Sequence, residues 1–360
     1  MQEEEEKYIH EAFQLNWIAP VGPHISRFEN NLQTYSGSPH VTALNSGTSA
    51  IHLALILAGI QEGDEVLAST FTFSATINPI LYQKAIPVFV ESEKDTWNTS
   101  PEYLEEAIVK RIAKGKKPKA FILVHLYGNP ANLSKIMEIC RKYDILLIED
   151  AAESLGSTYN GQMTGTFGDY GIYSFNGNKI ITTSGGGALL TKHKSDADKA
   201  LYLATQAKGK ADFCLHEAIG YNYRMSNIAA AIGLGQMEVL NQRIEKRRQI
   251  LSLYKKAFQE IPEINFPREL DGATSNCWLS SICWTSKVDP ASIRKEMDKE
   301  GIETRRLWKP MHTQPIFSDF PYYGDNTSKV LFEKGLSLPS GTALGEKEVS
   351  LISEIIRSFF

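Results

Sequence analysis

Between residues 41 and 190, short apolar runs alternate with stretches whose apolar positions recur every third or fourth residue. Residues 41–44, 65–70, 86–90, 120–126 and 145–149 are rich in β-branched and aliphatic side chains and predict strands. Residues 48–58, 74–83, 101–114 and 133–143 carry helical spacing. Gly59 ends the first of these helices, Pro79 lies inside or near the end of the second, and Ser100 and Asn132 are N-caps for the last two. The strands are apolar throughout rather than at every second position, which is the pattern of strands buried on both faces. It predicts an α/β fold with a largely parallel sheet covered by helices on each side. Ligands of such sheets sit beyond the carboxyl ends of the strands, so chemistry is sought there.

Residues 237–256 read as one long charged helix, after which the texture changes. A strand over 277–284, a helix over 290–300 and a closing helix over 346–359 follow. The division falls within the long helix, giving a large domain over 1–240 and a smaller C-terminal α+β domain over 241–360. Neither an internal repeat nor a low-complexity stretch interrupts the chain.

Composition narrows the function classes. With 360 residues, 42% hydrophobic and 22% charged, the chain is long enough for two cores. Its net charge of -4 and pI near 6.1 lack the basic excess of a nucleic-acid or anionic-membrane binder. Any phosphate must therefore be gripped locally. No apolar run approaches the ~20 residues that span a bilayer. The acidic start reads as a solvated first helical turn leading into a helix-like stretch at 8–15, not as an export signal, and places the protein in the cytoplasm. Cys140, Cys214, Cys277 and Cys283 form no C-x-x-C pair and no His cluster accompanies them. They read as buried or half-buried thiols, with no metal site.

Four features fall at strand ends or turns. Asn45-Ser46-Gly47-Thr48-Ser49 follows a strand and opens a helix. Its amides and hydroxyls make either an anion site or a plain hydroxyl N-cap. The absence of a following G-K-[ST] excludes a nucleoside-triphosphate P-loop. I-L-L-I-E-D-A-A-E-S sets Glu149, Asp150 and Glu153 at a strand's end, where a carboxylate is costly unless paired. Such a group could hold a metal, a ribose or a protonated ring nitrogen; Asp150 is the sharper candidate, and Glu149 reads as a cap or a solvent-facing group. G-I-Y-S-F-N-G-N-K-I-I places Lys179 between Asn176-Gly177-Asn178 and the apolar pair Ile180-Ile181. A loop lysine is ordinarily a solvated charge, but one stripped of water becomes a nucleophilic amine. T-T-S-G-G-G-A-L-L-T follows, and Gly185, Gly186 and Gly187 let the chain turn tightly against a ligand or simply form a hairpin. Together these are the parts that pyridoxal 5'-phosphate (PLP) requires. Its phosphate needs a helix start, its pyridine nitrogen a carboxylate and its aldehyde a lysine amine. Phe71 or Phe73 in T-F-T-F supplies an aromatic for the ring face.

The chain resembles, almost end to end, the DegT/DnrJ/EryC1/StrS sugar aminotransferases, a branch of the type I, aspartate-aminotransferase PLP fold. The likeness is carried by N-W-I-A-P-V-G-P, A-L-N-S-G-T-S-A-I-H-L-A-L, S-T-F-T-F, V-H-L-Y-G-N-P-A and I-E-D-A-A-E-S-L-G-S. It continues in G-T-F-G-D-Y-G-I-Y-S-F-N-G-N-K, G-Y-N-Y-R-M-S-N, E-T-R-R-L-W-K-P-M-H and L-P-S-G-T. The resemblance implies that Lys179 is the Schiff-base lysine and general acid/base, Asp150 the partner of the pyridine nitrogen, and Glu153 the partner of the ring hydroxyl. Gly47, Thr48 and Ser174 match phosphate ligands, and Phe73 the stacking aromatic. Asn222 matches a residue that reaches the phosphate across a subunit boundary, which implies a homodimer with shared active sites. Trp17, Ile18, Arg305, Trp308, Lys309 and His312 would lie near a nucleotide-sugar, and Arg305 and Lys309 suit a diphosphate by charge.

Relatives usually read E-T-R-P where this chain has Arg306, a change in loop stiffness and charge. The chain also begins slightly late compared with relatives, which would trim a substrate-facing edge. S-F-N-G-N-K-I-I-T-T-S-G-G-G looks most like enzymes of the bacillosamine pathway, which aminate carbon 4 of UDP-4-keto-6-deoxy-GlcNAc with L-glutamate as donor. GDP- or dTDP-linked keto-sugars, aminated at carbon 3 or 4, stay open. A PLP sugar dehydratase of the same fold would carry histidine in place of Lys179. A non-catalytic regulatory relative would not keep Lys179, Asp150 and Thr48 together.

Overall fold

Where apolar runs predict strands, strands form: β1 (His40–Leu44), β2 (Glu65–Ser69), β3 (Ile86–Val90), β4 (Ala120–Val124) and β5 (Leu146–Asp150), in a computed structural model that describes residues 3–360. With Tyr170–Ser174, Gly187–Thr191 and Tyr322–Tyr323 they build one eight-stranded sheet. Its order is β1, Gly187–Thr191, Tyr170–Ser174, β5, β4, β2, β3, Tyr322–Tyr323. Gly187–Thr191 alone runs against the rest, antiparallel to both neighbours; the other pairings are parallel. Alternate residues of the central strands enter opposite cores, as the period of two requires. Ile122 and Ile148 pack toward Ile51 and Leu55 on one face, while Phe121, Leu123 and Leu147 pack toward Leu104, Ile108 and Ile136 on the other. Helices on both faces leave the carboxyl ends of the strands as the open edge.

The helices are α1 (Glu3–Gln14), α2 (Pro23–Ser36) and α3 (Gly47–Leu57), then Pro101–Ala113 and Leu133–Tyr143 among others. Ser100 and Asn132 cap as expected, accepting from the Tyr103 and Lys135 amides. The predicted helix over 74–83 is two pieces, a turn at Ser74–Thr76 and a helix at Asn78–Tyr82. Pro79 sits in the first turn of the second piece, where a missing N–H costs nothing. The predicted strand over 120–126 stops at Val124, because Leu126–Gly128 bends and Tyr127 turns left-handed at φ 53°.

The long helix over 237–256 breaks at Val239 into Asn227–Glu238 and Leu240–Phe258. The break lets the first piece pack on α1 and α2 and the second on the closing helix Glu346–Arg357. The acidic N-terminal turn is not wholly solvated. Glu5 is buried, accepts a hydrogen bond from Gln236 and lies 3.8 Å from Arg243. A Cβ at Gly235 would lie 2.6 Å from the Glu5 amide nitrogen, so that glycine permits the close approach. Residues 1 and 2 of the acidic start lie outside the described residues.

A second sheet, Ile264–Asn265, Ser280–Trp284, Gly335–Leu338, Arg305–Arg306 in that order, is antiparallel. Ile282 and Trp284 pack there against Ile250, Tyr254, Ile293 and Ile352 of three helices. Its strand starts at Ser280 rather than residue 277, because Cys277 is left-handed at φ 51°. The chain after residue 240 feeds both sheets, since Tyr322–Tyr323 returns to pair with β3. Cys140 and Cys277 are buried and Cys283 half-buried, but Cys214, in an irregular segment, is exposed. Among the described residues no group of His, Cys, Asp or Glu could hold a metal ion, and no helix is long and apolar enough to cross a membrane.

Candidate active site

The turn from β1 into α3 builds an anion cradle. Ser46 is the N-cap, its Oγ accepting from the Ser49 amide at 3.0 Å, while Ser49 Oγ donates to Asn45 Oδ1 at 2.7 Å. The Gly47 and Thr48 amides stand at the positive end of the helix, with no carbonyl one turn earlier to receive them. Two further backbone segments converge on this turn. A Cβ on Gly47 would lie 3.1 Å from Ser174 Cβ, and one on Gly187 would lie 2.4 Å from the Gly47 nitrogen. Glycine at both positions lets the three chain segments close around a small anion.

Asp150 ends β5 and is buried. Its Oδ2 accepts from Thr76 Oγ1 at 2.7 Å and its Oδ1 from the Ala152 amide at 3.2 Å. Burial pushes its carboxyl above the usual range, opposed by the Thr76 hydrogen bond and the Lys179 charge. Glu149, one residue earlier, points to the opposite face. Contrary to a solvent-facing reading it is fully buried, accepting from the Gly165, Phe167 and Gly168 amides and lying 2.9 Å from His125 Nε2. That cluster ties β4 and the loop before Tyr170–Ser174 to β5.

Glu153 follows on the loop beyond β5, with Oε2 accepting from the Tyr127 amide at 2.6 Å. Lys179 Nζ lies 3.8 Å from its Oε1 and 4.1 Å from the centre of the Trp278 ring. The lysine side chain is 12% exposed. Its loop is held by the Lys179 amide donating to Asn176 O at 3.0 Å and by the buried Ile180 and Ile181. The loop therefore delivers a sequestered amine, as the apolar pair after it suggested.

A cavity of about 310 Å³ gathers Gly47, Thr48, Asp150, Glu153, Ser174 and Lys179, with Thr76 and the Gly185-Gly186 turn completing the wall. An outer cavity of about 420 Å³ shares Phe73, Asn176 and Lys179 with it and reaches Trp278, Glu303, Arg305, Arg306 and Trp308. A larger cavity of about 610 Å³ lies elsewhere, around Trp97, Arg268 and Lys334, and contains none of these groups. Size does not mark the site; convergent buried polar groups do.

Phe73 stands at the junction of the two cavities, half exposed, with its ring 5.6 Å from that of Trp308. Arg305 and Trp308 line the outer cavity, and Arg305 is paired with Glu303. Other expected residues lie apart. Lys309 is exposed and outside the cavity lining. His312 belongs to neither cavity lining; it lies 2.7 Å from Thr70 Oγ1 and stacks at 3.8 Å on Tyr322. Trp17 and Ile18 are exposed, with Trp17 O accepting from Asn227. Asn222 is exposed, and its carbonyl accepts from Asn45 Nδ2 at 3.0 Å. Sequence reasoning missed Thr76, Tyr127 and Trp278. Tyr127 follows β4, where the strand-end rule directs attention. Thr76 gave no signal beyond one hydroxyl among several, and Trp278 none, coming from a distant part of the chain.

Burial raises the Glu153 carboxyl to about 7, opposed by the Lys179 charge and reinforced by Asp150. The folded state therefore binds more protons here than the unfolded chain between its ordinary 4.5 and about 7. The stability this site contributes is full below that window and falls as pH rises through it, by at most about 1.4 kcal/mol per pH unit. Urea unfolding of cofactor-free protein will show wild type losing stability relative to Glu153→Gln over that window. Parallel curves for the two proteins would contradict this.

The comparisons with known proteins agree with this geometry. A sequence profile of the DegT/DnrJ/EryC1/StrS aminotransferase family matches residues 1–357. EpsN of Bacillus subtilis (strain 168), whose name places it among pyridoxal phosphate-dependent aminotransferases, is 47% identical over 99% of this chain and 93% of its own. A GDP-perosamine synthase of Escherichia coli O157:H7 is 36% identical over 99% of this chain and 95% of its own. The crystal structure of a DegT DnrJ EryC1 StrS aminotransferase from Brucella abortus superposes with a TM-score of 0.92 at 31% identity, covering 99% of this chain and 95% of that one. The type I PLP fold expected from the motifs is thus the fold found. The chain belongs to the DegT/DnrJ/EryC1/StrS aminotransferase family and is a sugar aminotransferase that depends on pyridoxal 5'-phosphate.

Proposed function

We propose that the protein moves the amino group of L-glutamate to carbon 4 of a nucleotide-linked 4-keto-6-deoxy sugar, UDP-4-keto-6-deoxy-GlcNAc, with Lys179 as the proton carrier. The observation that carries this reading is the cavity in which one sequestered amine meets two buried carboxylates and a helix start. Pyridoxal 5'-phosphate fits that donor set. Gly47, Thr48 and Ser174 would hold the phosphate, Asp150 the ring nitrogen, Glu153 the ring hydroxyl and Lys179 the aldehyde, with Phe73 against the ring. When bound, the cofactor supplies a sink for the electron pair left on carbon when a proton is removed.

The protein's own groups do the rest. Asp150, pinned by Thr76 and Ala152, keeps a proton on the ring nitrogen, where a buried charge acts strongly. Lys179 takes the α-proton of glutamate in the first half of the reaction and delivers a proton to carbon 4 of the sugar in the second. Both transfers use one amine on one face, which fixes the stereochemistry of the product. Arg305, exchanging Glu303 for a diphosphate, binds the nucleotide in the outer cavity, with Lys309 adding charge. Trp17, Ile18 and Asn222 lie outside the cavities of their own chain, and we assign them to the site of the second copy in a homodimer. His312 we assign to a supporting role outside the site, since Thr70 and Tyr322 already engage it.

A GDP-linked 4-keto sugar is a second reading, favoured by the similarity to GDP-perosamine synthases at 33% to 36% identity. Incubation with L-glutamate and UDP-, GDP- and dTDP-linked 4-keto and 3-keto sugars separates the two. We expect the UDP-linked 4-keto sugar to give 2-oxoglutarate and a 4-amino sugar with kcat/KM at least about tenfold above the others, a difference of about 1.4 kcal/mol. Preference for the GDP sugar would establish the second reading, and amination at carbon 3 would overturn both.

A further inference from the structure

The reacting amine has a neighbour that neither the motifs nor the family resemblance supplied. The Lys179 ammonium lies over the face of Trp278, 4.1 Å from the ring centre. On the same residue, Nε1–H donates to the Asn178 carbonyl at 2.7 Å, the peptide immediately before the lysine. One indole thus grips both the side chain of Lys179 and the backbone that carries it.

The backbone of Trp278 is anchored as well. Its amide donates to Asn276 Oδ1 at 2.9 Å, and its carbonyl accepts from Arg247. Asn276 in turn donates from Nδ2 to the carbonyls of Glu153 at 2.8 Å and Leu155 at 2.9 Å, the loop that bears the Glu153 carboxylate. Between them Cys277, which is neither glycine nor asparagine, holds a left-handed φ of 51°. Such a backbone persists only where its surroundings over-determine it. Here they do so at the point where the C-terminal sheet's leading segment crosses to the lysine loop.

We propose that Trp278 is the positioning residue for Lys179: its indole face is the station at which Nζ rests whenever the amine is not bonded to the cofactor, and it holds the cation once Nζ has taken up a proton. The proposal rests on Lys179 being the reacting amine. A lysine that alternates between a bonded and a free state swings on a flexible four-carbon stem and would otherwise lose its aim when released. An aromatic face is suited to the task, because it attracts the cation without a directional bond that must be broken for the amine to return. Glu153, 3.8 Å away, sets the other side of the station.

The test uses holoenzyme treated with excess L-glutamate, the condition that releases Lys179. Bleaching of the visible absorbance by glutamate checks the underlying reading separately. Acetic anhydride at limiting concentration then labels amines, and the Lys179 peptide is quantified by mass spectrometry against exposed Lys116. Trp278→Leu should raise the labelling of Lys179 by about 3- to 30-fold, and Trp278→Phe, which keeps a ring face, should stay within about twofold of wild type. In the leucine variant kcat should fall, and in the phenylalanine variant it should be largely kept. Equal labelling in all three proteins would overturn the proposal. So would a phenylalanine variant labelled as strongly as the leucine one, since bulk alone would then be the shield. Trp278→Met serves in place of leucine if that variant does not fold. Turnover retained in Lys179→Ala would instead sink the reading beneath, whatever Trp278 does.

Discussion

Lys179→Ala will lower transamination by at least about 10⁴-fold, because in the proposed mechanism it removes both the covalent anchor of the cofactor and the group that carries the proton. No substitute is at hand: Lys179 is the one lysine lining either the inner or the outer cavity among the described residues. The variant should nonetheless fold. The backbone bond from residue 179 to Asn176 O does not involve the side chain, and the buried Ile180 and Ile181 keep the loop seated. Loss of turnover with an unchanged circular-dichroism spectrum, and loss of the visible absorbance that depends on the lysine bond, is the expected pair of results. Turnover within about tenfold of wild type would contradict the assignment, since proton transfer alone contributes about 10²- to 10⁴-fold.

Asp150→Asn should cost about 10²- to 10³-fold in kcat, the scale of removing one preorganised charge from a site that excludes water. Its effect on stability should run the other way. Burial holds the Asp150 carboxyl above its ordinary range, so ionisation in the folded state opposes folding as pH rises. A neutral amide of the same shape is free of that penalty. The Thr76 hydroxyl, 2.7 Å from both Thr72 Oγ1 and Asp150 Oδ2, can reverse its direction to suit the new group. Urea unfolding of the cofactor-free variant at neutral pH should therefore show equal or greater stability than wild type, beside a deep loss of activity. A variant that lost activity in step with stability would show that Asp150 is a structural group and nothing more.

The two halves of the molecule differ in how far they could be read from their residues. The large sheet was legible because β2 and β4 bury every residue, which leaves an unbroken apolar run over Ala120–Val124 and one over Val66, Leu67 and Ala68. The lining of the inner cavity was legible for a related reason: Asp150, Lys179 and Gly47-Thr48 all sit just beyond predicted strands, where an α/β sheet places its ligands. What escaped was geometry made by distant chain segments. Val239 interrupts a continuous helical pattern because the two helices must pack on different partners, and nothing local marks the break. A predicted strand starts late, at Ser280, because the Cys277 backbone is left-handed between Asn276 and Trp278. Glu5 is drawn into the core through Gly235, far away in sequence. The expected substrate residues divide on the same line. Arg305 and Trp308 reach the outer cavity within their own chain, whereas Trp17, Ile18 and Asn222 face outward.

Reductive trapping tests the central claim most directly. Holoenzyme is treated with sodium borohydride, digested, and its peptides are searched by mass spectrometry for the added mass of the reduced cofactor. The account predicts that mass on Lys179 and on no other lysine, and its disappearance when excess L-glutamate is added beforehand. Stable label on a different lysine, or none at all from protein that carries the cofactor's absorbance and transaminates, would contradict it.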